Sequence, residues 1–146
     1  MSTPGPLTLA ASLLYVRRLD RSVAFYEEVF ELRVHARQPN LALLESRDGV
    51  PVLVLRSIGE NASRGLEQVG ISRLVWFAPE DRLGQLEERL RRTGTRELLL
   101  EERGGGDGDA VVFADPDGIV HVVVASETAA WPADGAIPRA AWLRGV

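Results

Sequence analysis

LTLAASLLYVRRLDRSVAFYEEVF, residues 7–30, and ISRLVWFAPEDRLGQLEERLRRTG, residues 71–94, share one plan. Each opens on an apolar, strand-like run, Leu7 to Val16 in one and Ile71 to Phe77 in the other. Each then changes period. Leu19, Val23, Tyr26 and Phe30 fall at i, i+4, i+7 and i+11, one face of a helix over Asp20 to Phe30. Leu83, Leu86 and Leu90 give the same stripe to a helix over Glu80 to Thr93, which Pro79 suits at its first turn and Gly94 ends. Asp20 is the expected N-cap of the first helix, where a carboxylate accepts from a free amide.

Working outward, three short apolar runs follow each helix. In the first half they are Leu32 to Ala36, Leu41 to Glu45 and Val52 to Leu55, separated by the turn pairs Pro39-Asn40 and Asp48-Gly49. In the second half they are Glu97 to Glu101, Ala110 to Ala114 and Ile119 to Ala125. A glycine-rich stretch at 104–108 and the turn Asp115-Pro116-Asp117-Gly118 join them. A pattern that occurs twice decides architecture before any single residue does, and it places function between two similar halves. The expected organisation is a first module over 1–57, a linker over 58–70, a second module over 71–126 and a C-terminal tail over 127–146.

Bulk composition narrows the chemistry. The chain has 146 residues, 45% hydrophobic and 26% charged, as a soluble globular protein has. It contains no cysteine, which excludes disulfides and thiolate chemistry, and its 17 cationic side chains are all arginine, which excludes a Schiff-base lysine. A net charge of −4 argues against nucleic-acid partners, and no apolar run has the length of a membrane span. The start, MSTPGP, lacks a cationic leader, so the expected compartment is the cytoplasm. The glycine-rich stretch lacks the lysine and the following helix of a phosphate loop.

Two stretches carry a family resemblance. Leu19-Asp20-Arg21-Ser22-Val23-Ala24-Phe25-Tyr26-Glu27-Glu28-Val29-Phe30 resembles the first helix of the vicinal oxygen chelate superfamily of glyoxalases, bleomycin-resistance proteins and extradiol dioxygenases. Phe113-Ala114-Asp115-Pro116-Asp117-Gly118 resembles its closing hairpin. The resemblance implies an α+β fold of two βαβββ modules, curled mixed sheets around a cleft, and a homodimer. It also implies where metal-using relatives hold their ligands. Those places fall on Ala11, on Ser72 give or take one residue, on Val122 and within Val52 to Leu55. Alanine and valine cannot ligate an ion and serine is a poor ligand for one, so no metal and no other cofactor is expected. Glu31 stands where the family often has a glycine closing the helix.

The same registration gives candidate ligand-binding residues. Ala11, Leu13 and Tyr15 share one face of the first strand, and Ser72, Leu74 and Trp76 share one face of its counterpart. Tyr15 and Trp76 are expected to flank a flat organic ligand, with Leu13, Leu74 and Val122 beside them. Simple core packing is the competing reading of the two aromatics. His35, Glu45 and His121 are assigned structural or surface roles, with Asp115 and Asp117 serving their turn. The expected function is metal-independent binding of a small organic molecule, a drug or a metabolite. The alternatives are a metal-dependent lyase or dioxygenase with non-standard ligands such as His35, Glu45 or His121, and a metal-free enzyme using the same cleft.

Overall fold

The computed structural model describes residues 7, 9–62, 73–98 and 110–125. The chain divides into two compact units, Met1–Ser63 and Arg64–Val146. Ile71, Ser72, the stretch 104–108 and the expected tail 127–146 lie outside the described residues.

The first unit runs β1 (Ser12–Val16), α1 (Leu19–Phe30), β2 (Arg33–Gln38), β3 (Leu41–Glu45) and β4 (Pro51–Ser57), the βαβββ order. Its sheet has the order β1-β4-β3-β2. β1 lies parallel to β4, because the helix between them carries the chain back, and the remaining pairs are antiparallel hairpins. Alternation sorts the side chains. Leu14, Val16, Ala42, Leu44, Leu53 and Leu55 are buried on one face, and α1 contributes Leu19, Val23, Tyr26 and Val29 to the same core. Tyr26 has no exposed surface and stacks on Phe30 at 5.4 Å between ring centroids.

Both ends of α1 differ from the expectation. The N-cap position is Arg18, and Asp20 sits inside the first turn, where its carboxylate accepts from the Arg37 guanidinium of β2. A first-turn carboxylate still favours the positive end of the helix dipole. At the other end Glu31 is left-handed, with φ 56° and ψ 30°, the conformation that glycine supplies without strain. The two hairpin turns form at Pro39-Asn40 and Asp48-Gly49, with Gly49 at φ +79°.

The second unit runs β5 (Arg73–Ala78), α2 (Glu80–Arg92), β6 (Ala110–Ala114) and β7 (Val120–Ala125). The sheet order is β5-β7-β6, with β5 parallel to β7, as β1 is to β4. Glu97 bridges Phe113, and the Leu98 amide donates to the Val112 carbonyl at 2.7 Å. This pairing begins where the run Glu97 to Glu101 was expected as a strand; residues 99–109 lie outside the described residues. Pro79 precedes α2 as its N-cap, and Leu83, Leu86 and Leu90 are its buried stripe. The helix ends in a Schellman arrangement about Gly94 at φ +70°, with Gly94 N–H donating to Arg91 and Thr95 N–H donating to Leu90.

In the closing hairpin one Asp115 carboxylate oxygen accepts the amides of Asp117 at 2.9 Å and Ile119 at 2.8 Å. Gly118 completes the turn at φ +87°. Asp115 is buried, so these bonds replace its hydration.

Candidate functional site

The face of the first sheet turned away from its core is the place to look. Register partners across a sheet share a face. Tyr15, Arg56, Leu41 and Gln38 therefore form one row across β1, β4, β3 and β2. Leu13, Val54, Leu43 and Ala36 form the next. Leu13 is 53% exposed and Tyr15 59%, so the two first-strand candidates stand together in solvent instead of in the core.

One more step along β3, Glu45 lies on this face beside two irregularities. An extra residue, His35, enters β2 between Val34 and Ala36, and β4 slips by one residue opposite Glu45. Such bulges re-aim side chains. Here His35 Nδ1 reaches Glu45 Oε2 at 3.2 Å, and Arg33 approaches Oε1 at 3.8 Å. A cavity of about 110 Å³ opens beside this pair, lined by Ala11, His35, Leu43, Glu45, Pro51 and Val54 among others. It is mostly apolar, with the imidazole and carboxylate as its polar groups. Strand alternation alone does not bring His35 to Glu45, because nothing in it predicts a bulge that turns one toward the other.

The second unit requires a correction. Leu74 pairs with His121 and Trp76 with Val123, whereas Val75 pairs with Val122 and Phe77 with Val124. Leu74 and Trp76 therefore share a face with His121, and Val122 belongs to the opposite face with Val75, Phe77 and Val112. The three residues expected on one face of the second module do not share it. The reason is register. Val16 ends β1 opposite Ser57, and Ala78 ends β5 opposite Ala125. Tyr15 thus corresponds to Phe77 and Leu13 to Val75, one residue away from the sequence alignment of the halves. Val75 is 43% and Phe77 56% exposed.

Trp76 instead donates its indole N–H to His121 Nδ1 at 3.0 Å. His121 is fully buried, and the Phe113 ring lies 5.7 Å away, nearly parallel to the imidazole. Burial lowers the His121 pKa to about 3, so the ring is neutral at physiological pH. Accepting at Nδ1 places its proton on Nε2. The arrangement is that of a buried, hydrogen-bonded core histidine.

The corrected register also tests the metal positions. The place of Ala11 in the first module corresponds to Arg73 in the second, and that of Val122 corresponds to Val54. An alanine, a cation and two valines offer no donor to a divalent ion. Among the described residues no three His, Asp or Glu side chains gather as a ligand set. His35 and Glu45 supply two donors, short of the three protein ligands that a zinc site takes. Among the described residues, those at these positions do not fit the metal of metal-using relatives.

Two units of strand, helix and further strands, each with its first strand parallel to its last, define an α+β architecture of the glyoxalase type. The chain belongs to the Glyoxalase/Bleomycin resistance protein/Dioxygenase superfamily, whose model matches residues 8–123. Among solved structures it is similar to the fosfomycin resistance protein FosX from Listeria monocytogenes, complexed with Mn(II) and sulfate. That match has 16% identity and a TM-score of 0.65, covering 81% of this chain and 89% of that one. A glyoxylase/bleomycin resistance protein/dioxygenase domain from Frankia sp. EAN1pec matches at 24% identity and a TM-score of 0.65, covering 85% and 93%. Lactoylglutathione lyase from Agrobacterium tumefaciens matches at 19% identity and a TM-score of 0.65, covering 88% and 100%. No curated protein matches the sequence. No described helix is long and apolar enough to cross a membrane.

Proposed function

We propose that this chain is a metal-independent member of its superfamily that binds a small organic molecule, sequestering a drug or a metabolite. The binding surface is the open face of the first module, with Tyr15 and Leu13 as its apolar contacts. The observation that carries the reading is that face itself: Leu13, Tyr15 and Leu43 are exposed on it, and Leu43 also lines the cavity of about 110 Å³. Large apolar side chains left together in solvent mark binding surfaces. Val75 and Phe77 are the corresponding exposed positions of the second module; Val122 shares their face but is fully buried among Val112 and Val124, and Leu74 and Trp76 lie on the other face.

Native mass spectrometry of protein purified from its own host tests this. A retained organic ligand with no stoichiometric metal is the expected result. One equivalent of a divalent metal per chain, with thermal stability lost on chelation, overturns metal independence. A homodimer of about twice 16.0 kDa is also proposed, because β1 lies at the edge of its sheet and an edge gains from being covered. Sedimentation at micromolar concentration reads it.

The His35–Glu45 pair favours a second reading, an enzyme that uses this face. A carboxylate at 3.2 Å orients an imidazole as a general base needs. Turnover of a bound ligand, abolished by both His35→Ala and Glu45→Gln with affinity retained, would establish it. His121 contributes nothing to either reading, since its Nδ1 is engaged by Trp76.

A further inference from the structure

We infer that the molecule taken up on the open face is an amphipathic organic anion, its charged group held by Arg56 and its apolar body lying over Tyr15, Leu13, Leu43 and Val54. The inference rests on the reading of this face as a binding surface and adds the chemical class of its ligand.

Arg56 lies on β4 in one row with Tyr15, Leu41 and the uncharged Gln38. Its register partners are Tyr15 on β1 and Leu41 on β3, and the next row holds Leu13, Val54 and Leu43. No carboxylate occupies either row. The nearest along β3 is Glu45, four residues beyond Leu41, about 13 Å at the rise of a strand. That carboxylate is already met by His35 and Arg33. Among the described residues no ion pair includes Arg56, in contrast to Arg18, Arg33, Arg37, Arg47 and Arg91. The protein carries a net charge of −4, so a lone cation in an apolar field is no by-product of a generally basic surface.

Ligand chemistry follows from the cost of covering that cation. A neutral apolar molecule that buries Leu13, Tyr15 and Leu43 also strips water from the guanidinium and gives nothing back. A cationic molecule adds repulsion. A carboxylate, sulfonate or phosphate accepts from the planar fork of N–H groups through two bonds, while its apolar part displaces water from the leucines. Only this class satisfies both parts of the surface.

Two fluorescent probes with the same rings separate charge from apolar contact: anilinonaphthalenesulfonate and the uncharged phenylnaphthylamine. The purified full-length protein is titrated with each, as wild type, Arg56→Gln and Tyr15→Ala, with circular dichroism confirming the fold. Arg56→Gln is expected to weaken the sulfonate about tenfold, as loss of a charged hydrogen bond does, and to leave phenylnaphthylamine within about twofold. Arg56→Lys, which keeps the charge but not the fork, should fall between. Tyr15→Ala is expected to weaken both probes. If Arg56→Gln leaves the sulfonate unchanged while Tyr15→Ala weakens both, the face binds but does not select anions, and this inference is overturned alone. If Tyr15→Ala changes neither probe, the face is not the binding surface and both readings fall.

Discussion

His121 gives the protein a specific weakness to acid. Its folded pKa, about 3, lies below the ordinary 6.5 because the imidazole is buried. Below pH 6.5 the unfolded chain takes up a proton that the folded chain refuses. Stability is therefore present in full above 6.5 and falls as pH drops toward 3. Between pH 6.5 and about 5 the loss is 1.36 kcal/mol per unit, or about 2 kcal/mol in all. That is a large share of the 5–15 kcal/mol that holds a typical domain together. Urea unfolding at about pH 7.5 and about pH 5 reads the effect when wild type is compared with His121→Asn. Asparagine keeps an acceptor for Trp76 but has no proton to gain. The substitution costs stability at neutral pH, since the Phe113 contact shrinks, and the gap to wild type should close by about 2 kcal/mol in acid. Titrations elsewhere cancel in the difference. A gap of equal size at both pH values would refute the reasoning, because His121 would then be free to take its proton without unfolding.

Three further expectations concern the scaffold. Trp76→Phe keeps most of the ring but leaves His121 Nδ1 without its donor, and should cost about 1–3 kcal/mol in urea unfolding; in a double-mutant cycle with His121→Asn the two losses should be less than additive. Asp115→Ala removes the acceptor of two amides in a buried turn and should cost about 2–3 kcal/mol, seen as a lowered Tm. Glu31→Gly relieves a left-handed residue, worth about 1–2 kcal/mol, against the lost Arg47 contact and the greater freedom of an unfolded glycine. A small net gain of about 0–1 kcal/mol is expected from denaturant midpoints, and a clear loss would show that the Arg47 contact at 3.2 Å outweighs the strain.

The fold was legible because its determinants are local and repeated. Period switches at Leu19 and Leu83 located both helices, and Asp48-Gly49 and Asp115-Pro116-Asp117-Gly118 located the hairpins. The outward placement of Leu13 and Tyr15 agrees with the expectation that they share a face. β1 alternates in burial, with Leu14 and Val16 inward and Leu13 and Tyr15 outward. β5 alternates in burial too, with Val75 and Phe77 outward, but its residue types do not show it. Leu74, Val75, Trp76, Phe77 and Ala78 are all apolar, so the sequence carries no sign of which set faces the core. Size drew attention to Trp76, while the parallel pairing with β7 gives its outward position to Phe77. The N-cap was expected two residues too late, at Asp20 instead of Arg18, because a carboxylate suits both the cap and the first turn. The His35–Glu45 contact depends on bulges in two strands, and bulges are settled by pairing across the sheet, not by either strand alone.

The corrected register changes what the duplication means for function. Each module, taken alone, places an apolar residue and an aromatic one at the same two outward positions of its first strand: Leu13 and Tyr15, Val75 and Phe77. At the position where metal-using relatives hold a ligand, the modules diverge, with Ala11 in one and Arg73 in the other. Solvent-facing positions of a strand are generally polar. These are not. Both modules carry an apolar and an aromatic side chain near Ala11 and Arg73, although this exposes leucine, valine, tyrosine and phenylalanine to water. Exposed apolar surface at these positions is what the proposed binding without metal would use. It is also why the comparison of a charged probe with its neutral twin, not a search for metal-dependent turnover, addresses this protein most directly.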